Sequence, residues 1–87
     1  MSFKIKFYAD PGHGWGAVKR KVLNDLGIAN KITGYSYQKG KTVYLEEDCD
    51  LSTLVTALAV KGETVQYIEK HTNKYSPIRS YDSYKPA

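Results

Sequence analysis

One cysteine, three prolines and one tryptophan occur among 87 residues, and long apolar runs are missing. The lone Cys49 has no partner for an intrachain disulfide, so the fold depends on no oxidising compartment. No stretch approaches the roughly 18 apolar residues that a membrane-spanning helix needs. The segment MSFKIKFYAD lacks the apolar centre of a secretory signal. A cytoplasmic protein without membrane association is expected. Also missing are the phosphate loop G-x-x-x-x-G-K-[ST], the dinucleotide pattern G-x-G-x-x-G and the D-x-D-x-D-G calcium loop. No zinc-finger spacing, helix-turn-helix or RNP-like motif is found either. These absences point to no cofactor and to a non-enzymatic protein.

What is present is enough for one domain with a thin core. Hydrophobic residues make up 41% of the chain, and eight tyrosines supply much of that apolar area. The net charge of +4 is unevenly spread. Residues 1–45 carry eight Lys/Arg against two acids, a balance of +6; residues 46–87 carry five against seven, a balance of −2. Such a dipolar surface steers a polyanion or an acidic protein to one side, or serves solubility alone.

The stretch FKIKFY alternates Phe3, Ile5 and Phe7 with Lys4, Lys6 and Tyr8, the period of a half-buried strand. DPGHG breaks it as a turn, and WGAV reads as a short returning strand. Val22, Leu23 and Leu26 mark a short helix from about Lys19, stopped at Gly27. GYSYQKGKTVYLEE reads as a hairpin turning at Lys39–Gly40. Asp50 is the expected cap of a second helix, whose stripe is Leu51, Leu54, Val55 and Leu58. Gly62 ends that helix, and TVQYIE forms a last strand with Val65 and Tyr67 on one face. The expected fold is α+β, a small two-layer sandwich with a mainly antiparallel sheet of four to five short strands and two helices on one face. The domain spans residues 1–72. Residues 73–87, with Ile78 as their one aliphatic side chain, form an extended tail packed on the domain or on a partner.

The densest candidate site is DPGHGWGAVKRK. Gly12, Gly14 and Gly16 let backbone approach an anion closely, and Lys19, Arg20 and Lys21 sit unfavourably at a helix start unless an anion compensates them. His13 or Trp15 is available to stack on a base. Tyr35, Tyr37 and Lys39 are expected neighbours from the hairpin. The competing reading is a glycine-rich turn with Trp15 in the core and the cations solvated.

Lys4, Lys6 and Tyr8 share a strand face, and basic residues interleaved with aromatics are the ingredients of single-strand nucleic-acid binding. Ordinary strand packing accounts for the same tyrosines. Arg79, Tyr81 and Tyr84 in the tail are candidate partner-binding residues, because Arg and Tyr are enriched at interface hot spots. Glu46, Glu47, Asp48 and Asp50 crowd the second helix start, where acids are stabilising; with His13 or His71 they form a weaker metal-site candidate for a small hydrolase. Cys49 beside these acids is a poor nucleophile.

The motifs DPGHGW, YSYQKGKTVYLEEDCDL and SPIRSYDSY resemble those of small proteins encoded by bacteriophages and mobile genetic elements. The resemblance implies a stoichiometric accessory binder acting in the host cytoplasm and adds no catalytic residue. The basic, glycine-rich loop itself leads to the expectation of an anionic ligand: nucleic acid, a nucleotide or an acidic protein. The alternative is inhibition of a host defence protein through the tyrosine-rich surface and tail.

Overall fold

The computed structural model describes residues 2–86. Its elements run β1 (Ser2–Ala9), β2 (Gly14–Lys19), α1 (Arg20–Asp25), β3 (Tyr37–Lys39), β4 (Thr42–Glu46), α2 (Asp50–Val60), β5 (Thr64–His71) and β6 (Asp82–Ser83). Short 3₁₀ turns occupy Ala29–Lys31 and Pro77–Ser80. The strands form one six-stranded sheet in the order β5-β1-β2-β4-β3-β6. All neighbouring pairs are antiparallel except β1 with β5. The α+β architecture is as expected, with six strands instead of four to five. The additional strand is β6, which the tail contributes by pairing with β3.

The layers follow from strand alternation. Ile5, Val18, Val43 and Leu45 point to one face and meet Leu23 of α1 and Leu51, Leu54 and Leu58 of α2 in a single core. Leu54 is fully buried; sequestering a side chain of that size contributes about 1.5–3 kcal/mol. Gly40 at φ +59° and Gly62 at φ +78° close the hairpin and the end of α2 in a conformation that disfavours other residues. Among the described residues, no helix is long and apolar enough to cross a membrane.

Two glycines have a different role from the one expected. Gly14 and Gly16 are buried within β2 on the core face. A Cβ at Gly14 would overlap the Phe7 ring, and one at Gly16 would come within 2.6 Å of Leu51 Cδ1. They bring β2 close to its neighbours, and do not lend a loop its freedom.

Asp50 also differs from expectation. Cys49 occupies the N-cap position without a side-chain cap bond, and Asp50 is the first residue of α2. Its fully buried carboxylate accepts hydrogen bonds from Thr33 N at 3.1 Å, Thr33 Oγ1 at 2.7 Å and Ser36 Oγ at 2.5 Å. Ser36 Oγ in turn accepts from Glu46 N at 3.0 Å. The acid pins the loop before β3 onto the helix.

The tail is tied to the same body. Ile78 and Tyr84 are buried. Tyr84 donates its hydroxyl to Ala29 O at 2.6 Å and its amide to Ser36 O at 2.8 Å. Ser76, Pro77, Ile78 and Tyr81 lie beside Tyr8 and Tyr44 on the sheet face that carries no helices. β6 then extends the sheet by two residues, and Tyr84 enters the core on the helix side.

Candidate functional site

That second face is where the cations and rings collect. Alternation along β1 directs Lys4, Lys6 and Tyr8 away from the core. The register places Tyr8 beside Trp15 and Lys6 beside Ala17. Across β2, Ala17 pairs with Tyr44 and Lys19 with Thr42. On the other side Lys6 is beside Ile68 and Tyr8 beside Lys70. The small Ala17 leaves a depression between larger neighbours.

Two grooves result. One, of about 340 Å³, is lined by Lys4, Lys6, Tyr8, Ala17, Lys19, Thr42 and Tyr44 with Phe3, Val18 and Val22. The other, of about 240 Å³, is lined by Tyr8, Tyr44, Lys70, His71 and Tyr81 with Ala9, Thr72, Ser76, Pro77 and Ile78. They share Tyr8 and Tyr44, and no carboxylate lines either. Tyr8 and Tyr44 meet edge to face at 6.1 Å, and Tyr44 lies 5.2 Å from Tyr81. Lys39 Nζ sits 4.8 Å from the Tyr81 ring centre. Burial, then the neighbouring Tyr81 and Tyr8, raises the Tyr44 hydroxyl above its ordinary pKa, so the ring is neutral at physiological pH.

The tail forms one wall of this surface, and a buried carboxylate holds it there. Asp10 Oδ1 accepts from Gly12 N, His13 N and Arg79 Nη2, each at 2.9 Å. Its Oδ2 accepts from Ser76 N at 2.9 Å and Arg79 Nε at 2.6 Å. The Arg79 guanidinium holds the Asp10 carboxyl far below the usual range; burial opposes this, and the Ser76, His13 and Gly12 amides reinforce it. Arg79 also lies 5.6 Å from the Trp15 ring centre and 4.7 Å from that of Tyr75.

The residues singled out in DPGHGWGAVKRK are thereby separated. The Gly12 and His13 amides serve Asp10, Gly14 is buried, and Trp15 is covered at 2% exposure. His13, Trp15, Tyr35, Tyr37 and Arg79 do line one pocket of about 200 Å³ with Glu46. Lys19, Arg20 and Lys21 line a different hollow, beside Asn24, Asp25, Gly40 and Lys41. Lys21 pairs with Asp25 at 2.6 Å on the surface. Arg20 donates to Gln38 Oε1 at 2.5 Å and Lys85 O at 2.9 Å, and lies over the Tyr84 ring. It fastens the end of the chain. Of the tail candidates, Tyr81 reaches the grooves, Arg79 is the clamp, and Tyr84 offers no surface to a partner. Among the described residues, no three His, Cys, Asp or Glu side chains gather as a metal site.

Periodicity alone does not mark Tyr44 and Lys70 as site residues, and His71, a metal-site candidate by sequence, instead lines the second groove. Alternation within TVYLE and TVQYIEKH assigns most of these side chains to a face, but only the strand order brings them beside Lys4, Lys6 and Tyr8. Comparison with protein-family models, curated proteins and solved structures gave no match.

Proposed function

We propose that this protein is a non-catalytic binder that takes an anionic ligand on the helix-free face of its sheet. The observation that carries the reading is the set Lys4, Lys6, Lys19 and Lys70 arranged around Tyr8 and Tyr44 with no acid in the lining. Clustered like charges disfavour one another, and an incoming anion relieves that repulsion while releasing counterions. The two buried carboxylates, Asp10 and Asp50, are saturated by donors within the fold, which favours binding over acid–base chemistry. An accessory binder of this kind agrees with the resemblance to phage-encoded proteins.

A charge-matched pair of variants tests the site. Lys4, Lys6 and Lys19 are replaced together by Gln in one, and the exposed Lys31, Lys61 and Lys74 in the other. Elution from immobilised heparin should move to markedly lower salt for the first and little for the second. Equal shifts would show only the general charge of a basic protein and would exclude this face.

A second reading is stoichiometric inhibition of a host protein through aromatic surface. Tyr35 and Tyr75, 79% and 77% exposed, favour it. Binding of that kind depends weakly on salt and strongly on these two rings.

A further inference from the structure

We infer that the anion is a single-stranded nucleic acid, whose unpaired bases stack on Tyr8, Tyr44 and Tyr81 while its phosphates run along the flanking lysines. This rests on the anion-binding reading above and adds the ligand class. Simple anion capture needs cations and donors; it gives no reason for a row of rings at the middle of the charged surface. Here the three rings form a continuous series, with centroid separations of 6.1 and 5.2 Å. They are inclined to one another by 63° and 52°, so none is used up in a parallel stack with its neighbour. Each is half-buried, Tyr8 and Tyr44 lining both grooves and Tyr81 the second.

The cations lie on both sides of that series. Lys4, Lys6 and Lys19 line the first groove and Lys70 the second, with Lys39 against the outer ring. A polyanion crossing the rings therefore meets positive charge before and after them, whereas a lone nucleotide reaches one end only. A duplex keeps its bases stacked on each other and presents phosphates alone, which leaves the tyrosines without a role. An acidic protein segment supplies charge but no planar π-face at each step. Stacking is tolerant of sequence because every base has such a face. The surface is thus suited to unpaired strands of any sequence, DNA or RNA.

The test uses the full chain and fluorescence anisotropy with a labelled oligothymidylate, its RNA counterpart, a duplex of equal length, and unlabelled heparin as competitor. The single strands should bind more tightly than the duplex at equal salt. Tyr8→Ala should weaken single-strand binding on the order of tenfold, with Tyr8→Phe close to wild type and duplex binding unchanged. Circular dichroism checks that each variant is folded. Duplex binding equal to single-strand binding, with no effect of Tyr8→Ala, overturns the inference. In that case, loss of heparin binding in the Lys4, Lys6, Lys19 variant still upholds the broader anion site. Failure of all three nucleic acids and of immobilised heparin to bind overturns both.

Discussion

Arg79 and Asp10, sixty-nine positions apart, meet through two parallel hydrogen bonds of 2.6 and 2.9 Å. The fork geometry of guanidinium on carboxylate fixes orientation as well as distance. Because Tyr81 follows Arg79 by two residues, this contact sets where the wall of the second groove stands. It also keeps Trp15 covered. This ion pair is thus structural, yet it shapes the surface proposed to bind.

Arg79→Lys keeps the charge and removes the fork, so it separates geometry from electrostatics. The expected result is a fold that unfolds at lower denaturant, with anion affinity reduced severalfold although net charge is unchanged. Urea melts and anisotropy on the same preparation measure both. Unaltered affinity would mean that the tail segment held by Arg79 does not shape the groove.

The same carboxylate predicts a response to acid. Its pKa in the folded state lies well below the roughly 3.9 of an unfolded aspartate. The folded state therefore holds fewer protons on this group, and its contribution is complete above about pH 4. It declines as pH falls below that value towards the depressed folded pKa. Asp10→Asn should be less stable than wild type at pH 7, and the gap should narrow steadily below pH 4. Parallel denaturation curves at pH 7, 4 and 3 provide the comparison.

Gly16→Ala tests whether β2 needs a glycine for space. Its added methyl meets Leu51 Cδ1 at 2.6 Å and the fully buried Ile5 at 3.2 Å. Overpacking of this kind costs about 1–3 kcal/mol. The alternative, that Gly16 only supplies flexibility, predicts a neutral or stabilising change. Thermal melts of the single variant decide between them.

The difference between legible and hidden features has a physical pattern. Ile5 among lysines, and Leu51, Leu54 and Leu58 at helical spacing, are local signals, since each element's buried face is written in its own periodicity. The hairpin around Gly40 was readable for the same reason. The role of Asp10 was not, because its partners are amides two and three residues on and side and main chain sixty-six or more away. The position of Asp50 suggests a cap, whereas its burial against Thr33 and Ser36 depends on how a loop returns. The grooves share this non-local character: Tyr8 and Tyr44 become neighbours only when β2 lies between their strands.

Asp50→Ala should be among the most damaging single changes. It leaves the half-buried Thr33 amide and hydroxyl and the fully buried Ser36 hydroxyl without their acceptor. A buried donor left unsatisfied costs about 1–3 kcal/mol, so a loss of about 3 kcal/mol or more is expected for the set. Serine at this position, too short to reach all three donors, should recover little. Equilibrium unfolding gives the values, and a loss below about 1 kcal/mol would show that solvent replaces the carboxylate.

Tyr84 and Tyr35 provide the sharpest contrast between tail and hairpin. Tyr84 is 4% exposed, donates its hydroxyl to Ala29 and lies beneath Arg20, whereas Tyr35 is 79% exposed. Replacing a buried large aromatic by alanine typically costs about 3–5 kcal/mol, while an exposed site usually changes stability by less than about 0.5 kcal/mol. Tyr84→Ala should therefore approach the whole stability of so small a domain, and Tyr35→Ala should barely register. The same reasoning applies to removal of residues 73–87, which takes away Ile78, Tyr84 and the clamp together. That truncation should leave a chain with broad, non-cooperative melting. A sharp transition near the wild-type temperature would instead establish residues 1–72 as a self-sufficient domain and the rest as an appendage.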